Sequence, residues 1–210
     1  MLFKNQNPKI FCIGFNKTGT TTIDKALKEF NFKLGSQIKG ELLIFDWYKR
    51  DFKKIIKLCK TADAFQDVPF SLPFTYIMLD QYFKNAKFIL SIRDNENQWY
   101  NSLTKFHSKL FSDGNAIPTS QQLKEAEYRY KGFVYQSFKL IYNTQDDDIY
   151  NKETLINLYN NHNYFVKDYF KSRPKKLVVI NVSKKNDYFR LCEFLNKKPL
   201  RDDFPWKNKT

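Results

Sequence analysis

The sequence predicts an α/β fold of three layers, in which a central parallel β-sheet of about four or five strands lies between two layers of helices. Three observations predict it. Short, continuously apolar segments, suited to strands buried on both faces, alternate with longer segments of helical period. The first of these strands runs straight into a glycine-bearing loop and then a helix. No internal repeat or low-complexity linker divides the chain, so one domain is expected over residues 1–210.

Lys9 to Ile13 is the first apolar run and ends at Gly14. From Thr20 to Phe30, Ile23, Ala26, Leu27 and Phe30 fall at the i, i+3, i+4, i+7 positions of a helix. Phe52, Ile55, Ile56 and Cys59 keep the same period, which predicts a helix over about 50–60, and Thr61 to Gln66 reads as the second strand. A helix over Pro73 to Phe83 leads to Lys87 to Ile92, the clearest buried strand, which closes on Arg93 and Asp94. Helices are expected from Glu96 to Leu110 and from about Gln121 to Tyr142, parted by the Ser112-Asp113-Gly114-Asn115 turn. After the polar break at 145–148, a helix over about Lys152 to Phe170 precedes a last strand, Lys176 to Ile180. A helix from Tyr188 to Leu195 and an irregular basic tail complete the chain.

With 36 Lys+Arg against 22 Asp+Glu, the formal charge of +14 favours anionic partners. The lysines are scattered rather than clustered, so they read as solvated surface, and no specific nucleic acid is expected as a partner. Cys12, Cys59 and Cys192 are odd in number, far apart and set in apolar stretches, which suits buried thiols in a reducing, cytoplasmic setting. No run approaches the roughly 20 apolar residues that span a bilayer, so no transmembrane segment is expected. His107 and His162 are isolated and lack the Cys/His spacing of a metal site, so no metal is expected either.

Gly14 to Thr20 nearly fits the phosphate-binding pattern G-x-x-x-x-G-K-[ST], in which backbone N–H groups and a helix N-terminus surround phosphate oxygens. Thr20 stands where a nucleoside-triphosphate enzyme carries its lysine, and the one lysine at hand, Lys17, lies inside the loop. That displacement argues against ATP or GTP hydrolysis and for another phosphorylated ligand on a P-loop-type fold.

The run from Cys12 through Lys17, Thr18, Gly19, Thr20 and Thr21 to Thr22 resembles the 5′-phosphosulfate loop of the sulfotransferases, a lysine followed by Ser/Thr, Gly, Thr and Ser/Thr. Phe88 to Asp94, followed by Trp99 and Ser102, is similar to that family's 3′-phosphate site, built from an arginine and a helix serine. Asn161 to Lys167, Leu177 to Ile180, Leu191 to Leu195, Phe204 and Pro205 extend the resemblance over most of the chain. It implies 3′-phosphoadenosine 5′-phosphosulfate as donor, held by Asn16, Lys17, Thr18, Gly19, Thr20, Thr21, Arg93 and Ser102. The usual spacing from arginine to serine is eight residues, which lands on Asn101; Ser102 is preferred and Asn101 stays open.

By the same resemblance the reaction is an in-line sulfuryl transfer to a hydroxyl or amine of a small-molecule or glycan acceptor, with Lys17 neutralising charge on the leaving oxygens. Asp67, after the second strand, occupies the place of the family's catalytic histidine and is the expected base; His107, near Ser102, is the alternative. The acceptor pocket is expected between Phe106 and Tyr169, and Lys207 and Lys209 are candidates to close over the 3′-phosphate. Two rival readings stand beside this one: an ATP-dependent small-molecule kinase, and a non-catalytic basic protein of the same fold that binds an anionic ligand.

Overall fold

In the computed structural model, residues 8–205 are described. Four parallel strands, β1 (Ile10–Cys12), β2 (Ala64–Phe65), β3 (Lys87–Ser91) and β4 (Leu177–Ile180), form one sheet in the order β2-β1-β3-β4. Phe11 stands opposite Phe65 on one side and Phe88 on the other, and Leu90 stands opposite Val179. The strands are apolar throughout because both faces are covered. Phe11, Phe65, Phe88 and Leu90 enter the larger core, while Ile10, Cys12, Ala64, Ile89, Val178 and Ile180 enter the smaller one.

The smaller core lies under α1 (Thr20–Glu29) and α10 (Lys185–Leu195), through Ile23, Ala26 and Leu27 of the first and Tyr188, Leu191 and Cys192 of the second. On the opposite face lie α4 (Lys53–Cys59), α5 (Thr75–Tyr82), α6 (Glu96–Phe111), α8 (Phe133–Tyr142) and α9 (Lys152–Phe170). The expected three layers are therefore present, with a four-stranded sheet. Buried Asp80 on α5 is paired with Arg173, at 2.5 Å, and with Lys176, which ties that helix to the approach of β4. All three cysteines are buried free thiols. Among the described residues no helix is long and apolar enough to cross a membrane.

Three expectations about local structure are corrected. Two five-residue helices, α2 (Gln37–Glu41) and α3 (Ile44–Tyr48), occupy a stretch with no predicted element, because neither is long enough to display a helical period. The second strand is two residues long rather than six, since the turn that ends α4 still holds the Thr61 N–H on the Leu58 carbonyl and Asp67, at φ +62°, turns the chain away. The continuous helix expected over 121–142 is broken into α7 (Ser120–Glu125) and α8. Ala126 turns extended, Glu127 and Lys131 bridge antiparallel, and Gly132 takes φ +80°, a conformation that costs glycine little.

In this sheet order the chain leaves β1 to one side for β2 and returns to the other side for β3. The crevice outside the carboxyl ends of β1 and β3 is thus the topological switch point, where open α/β sheets receive ligands. Gly14 follows β1 and Arg93 follows β3, so both arrive there.

Candidate functional site

The loop from Gly14 to Gly19 is fixed by its carbonyl groups. His162 Nε2 lies 2.7 Å from the Ile13 carbonyl, and the Thr18 hydroxyl donates to that of Phe15 at 2.5 Å. Trp99 Nε1 donates to the Asn16 carbonyl at 3.1 Å, and Arg93 Nε to that of Lys17 at 2.6 Å. Carbonyls 13, 15, 16 and 17 are thus taken by protein donors, which fixes the peptide planes around the hollow of the loop. Lys17 at φ +65° and Gly19 at φ +96° supply the reversal.

α1 then begins at Gly19 with no side-chain cap and no acidic residue in its first turn. Its first amides have no intrahelical partner, and the positive end of the helix faces the same hollow. An anion fits this cradle on the structure's own terms. The close fit against β3 demands a glycine at 14, where a methyl group would lie 2.3 Å from the Ser91 carbonyl oxygen. Thr18 is fully buried; its one hydrogen goes to Phe15, so the Ser91 hydroxyl, 2.6 Å away, donates to Thr18 in turn.

Across the crevice, Arg93 is half-buried. Its backbone N–H donates to the Tyr159 hydroxyl at 3.0 Å, and Nη2 reaches Ser102 Oγ at 3.4 Å. Ser102 and Trp99 lie three apart on α6 and so share a face. Trp99 is wholly buried and stacks on Tyr159 with centroids 4.5 Å apart. Asn101 is exposed on the neighbouring face, so the structure brings Ser102, not Asn101, to Arg93.

The Lys17 ammonium sits 3.4 Å over the Phe106 ring. Burial, and then the Arg93 charge, lower its pKa to about 8, with Asp67 opposing. Asp67 lies beyond β2 on the same edge of the sheet, at φ +62° and partly exposed. Its Oδ1 accepts the Val68 N–H at 2.9 Å, and its Oδ2 lies 3.4 Å from Gln37 Nε2. Burial of the carboxyl, and then the nearby Glu41 charge, raise its pKa to about 6. A carboxyl held there is a usable base near neutrality.

His107 is only 6% exposed and is packed by Phe111, Phe138 and Tyr150, with Nδ1 2.7 Å from the Tyr150 hydroxyl. Burial, and then Lys17, push its pKa down to about 3. Its Nδ1 is committed to Tyr150 within the core. Among the described residues, no group of three metal-ligating side chains stands close enough to hold an ion.

The structure thus gathers Asn16, Lys17, Thr18, Gly19, Thr20, Arg93 and Ser102 at one crevice, leaves Thr21 exposed at the start of α1, and sets Asp67 beside Lys17. Lys207 and Lys209 lie outside the described residues. Sequence reasoning missed the fasteners Tyr159 and His162 and the polar group around Gln37, Glu41 and Arg129. Tyr159 and His162 stand three apart on α9, and polar-tipped rings on an otherwise apolar face were the available signal.

A family model described as a sulfotransferase domain matches residues 9–210. No curated protein matches the chain significantly.

Proposed function

The chain belongs to the sulfotransferase family, and from that premise we propose that it transfers a sulfuryl group from 3′-phosphoadenosine 5′-phosphosulfate to a hydroxyl or amine of a small-molecule or glycan acceptor. A single domain carries the reaction in this reading. The observation that supports it most is the Arg93 fork: Nε braces the phosphate loop at the Lys17 carbonyl while Nη2 meets Ser102. One guanidinium thereby couples a 5′-phosphosulfate cradle to a second anion site, as a donor with phosphates at both ends requires.

The sheet order supports a division of sides in this reading. The donor's 3′-phosphate belongs on the β3 side with Arg93 and Ser102, and the acceptor on the β2 side with Asp67, with Lys17 between them. The sulfur–oxygen bond to the 5′-phosphate breaks as the acceptor oxygen or nitrogen bonds to sulfur. The electron pair stays on the phosphate oxygen, where Lys17 and the loop N–H groups meet the new charge. The acceptor's proton passes to Asp67.

Calorimetric titration with adenosine 3′,5′-bisphosphate and with ATP–magnesium tests the donor. The bisphosphate is expected to bind, and more tightly; failure to bind, or tighter ATP binding, refutes the reading. Transfer from labelled donor over an acceptor panel is expected to vanish in Lys17→Ala and to fall sharply in Asp67→Asn.

A further inference from the structure

We infer that Gln37, Glu41 and Arg129 form a positioning set that fixes which oxygen of Asp67 takes the acceptor's proton, an assignment that rests on Asp67 being the base. Oδ1 of Asp67 is committed to the Val68 N–H, inside its own turn, which leaves Oδ2 for the acceptor. The side chain facing Oδ2 is Gln37, whose amide nitrogen donates at 3.4 Å, the outer limit of a hydrogen bond. The same nitrogen donates to Glu41 Oε1 at 2.9 Å. One amide therefore spends its two hydrogens on two carboxylates, and the flipped amide would turn its oxygen on both of them. The orientation of Gln37 is forced.

Glu41 in turn is held by Arg129, whose Nε donates to Oε2. At 6% exposure Glu41 is buried, and Arg129 supplies the paired cation that a buried carboxylate requires. Gln37 and Glu41 lie four apart on α2, hence on one face, and Arg129 comes from the 126–132 connection that interrupts α7 and α8. The long bond to Oδ2 is the weakest in the chain of contacts. A carboxylate oxygen accepts more than one hydrogen bond, so an acceptor hydroxyl can donate to Oδ2 beside Gln37 without disturbing the tighter bonds behind it.

The groups facing Asp67 are Glu41 from α2, Lys17 from the loop, and Arg129 and Tyr128 from the 126–132 connection, together with Tyr142 of α8. Glu41 raises the Asp67 pKa, whereas Lys17 and Arg129 lower it. Removing the Glu41 charge leaves two cations facing one carboxylate, and removing Arg129 leaves two carboxylates facing one cation.

The test is carbon-13 NMR of the full chain with labelled Asp and Glu carboxyls, the Asp67 signal being assigned by its loss in Asp67→Asn. Glu41→Gln is expected to lower the Asp67 titration midpoint by about half a pH unit or more, and Arg129→Met to raise it. The double variant E41Q/R129M, which removes both charges yet keeps an acceptor for Gln37, is expected to return it toward the wild type. Gln37→Leu is expected to cut kcat roughly tenfold with little change in donor KM, because only the aim of the base is lost.

If the midpoint is unmoved in Glu41→Gln, or Gln37→Leu keeps full kcat, while adenosine 3′,5′-bisphosphate still binds, the positioning set is wrong and the donor reading stands. If the bisphosphate does not bind the wild type, the donor reading falls and this assignment falls with it. Should Glu41→Gln fail to fold, the comparison of E41Q/R129M with Arg129→Met decides: a double variant no nearer the wild type overturns the inference.

Discussion

Arg93→Met keeps much of the side chain's length and removes its fork. In the wild type, Nε donates to the Lys17 carbonyl at 2.6 Å and Nη2 leans on Ser102 at 3.4 Å, so the first bond braces the loop and the outer nitrogens remain for a phosphate. Hydrogen bonds to charged groups contribute about 1.5–3 kcal/mol net, so loss of the phosphate contact weakens adenosine 3′,5′-bisphosphate roughly 10- to 150-fold. Adenosine 5′-phosphosulfate, which lacks the 3′-phosphate, feels only the slackened loop. Losing one brace to a carbonyl costs about 1 kcal/mol, or roughly fivefold. Titration calorimetry of both ligands against both proteins therefore reads the difference between two losses. Equal losses would show Arg93 to be a brace and nothing more, and would refute the assignment of the 3′-phosphate to the β3 side. No loss for either ligand would place both outside the crevice.

Asp67, raised to about 6, must be ionised to accept a proton, and Lys17, lowered to about 8, must be protonated to meet the leaving charge. The pH profile of kcat/KM is therefore expected to fall below about 6 and above about 8, and an acid limb that persists unchanged in the residual rate of Asp67→Asn would assign that limb to another group. Phe106→Leu removes the ring beneath the Lys17 ammonium, worth about 1 kcal/mol, and is expected to move the alkaline limb downward by roughly half a pH unit, with Phe106→Trp restoring it. Buried His162 and His107, lowered to about 4 and about 3, charge more readily in the unfolded chain, so stability present at neutral pH is lost as pH falls through the unfolded value of about 6.5. Asp67, raised on folding, opposes this in part; urea melts at pH 7 and pH 5 are expected to differ by roughly 2 kcal/mol in favour of pH 7, and equal midpoints would contradict the burial of both rings. Gly14→Ala, whose methyl would strike the Ser91 backbone, is expected to destabilise the fold by about 1–3 kcal/mol in the same melts; no loss would show that the loop can part from β3 freely.

The Lys17 and Arg93 half of the crevice was legible because its residues sit at the ends of strongly apolar strands, where sequence and space run together. Gly14 and Arg93 each follow a run that could only be a buried strand, and their meeting follows from a parallel sheet. Ser102 was legible as a residue near Arg93, but the choice against Asn101 needed the helix to be placed, since one residue turns a side chain by about 100°. The Asp67 half was not legible for a different reason. Gln37 and Glu41 lie on a helix of five residues, and Arg129 lies in a break that the surrounding helical period conceals. The fasteners at Tyr159 and His162 were hidden by their good behaviour: in sequence a buried ring with one satisfied polar atom looks like any other packing residue.

The contrast between those halves has a mechanical consequence. The phosphate loop hangs on β1 and β3, among side chains with no exposure, whereas the elements facing Asp67 are a five-residue helix and a connection closed by a single antiparallel bridge. Segments with so few interior contacts open locally at a small fraction of the global unfolding free energy. Amide hydrogen exchange is thus expected to run at two tempos, fast over 36–42 and 126–132 and slow over 10–15 and 87–92. A crevice built this way can breathe on its Asp67 side without loosening the loop held between β1 and β3.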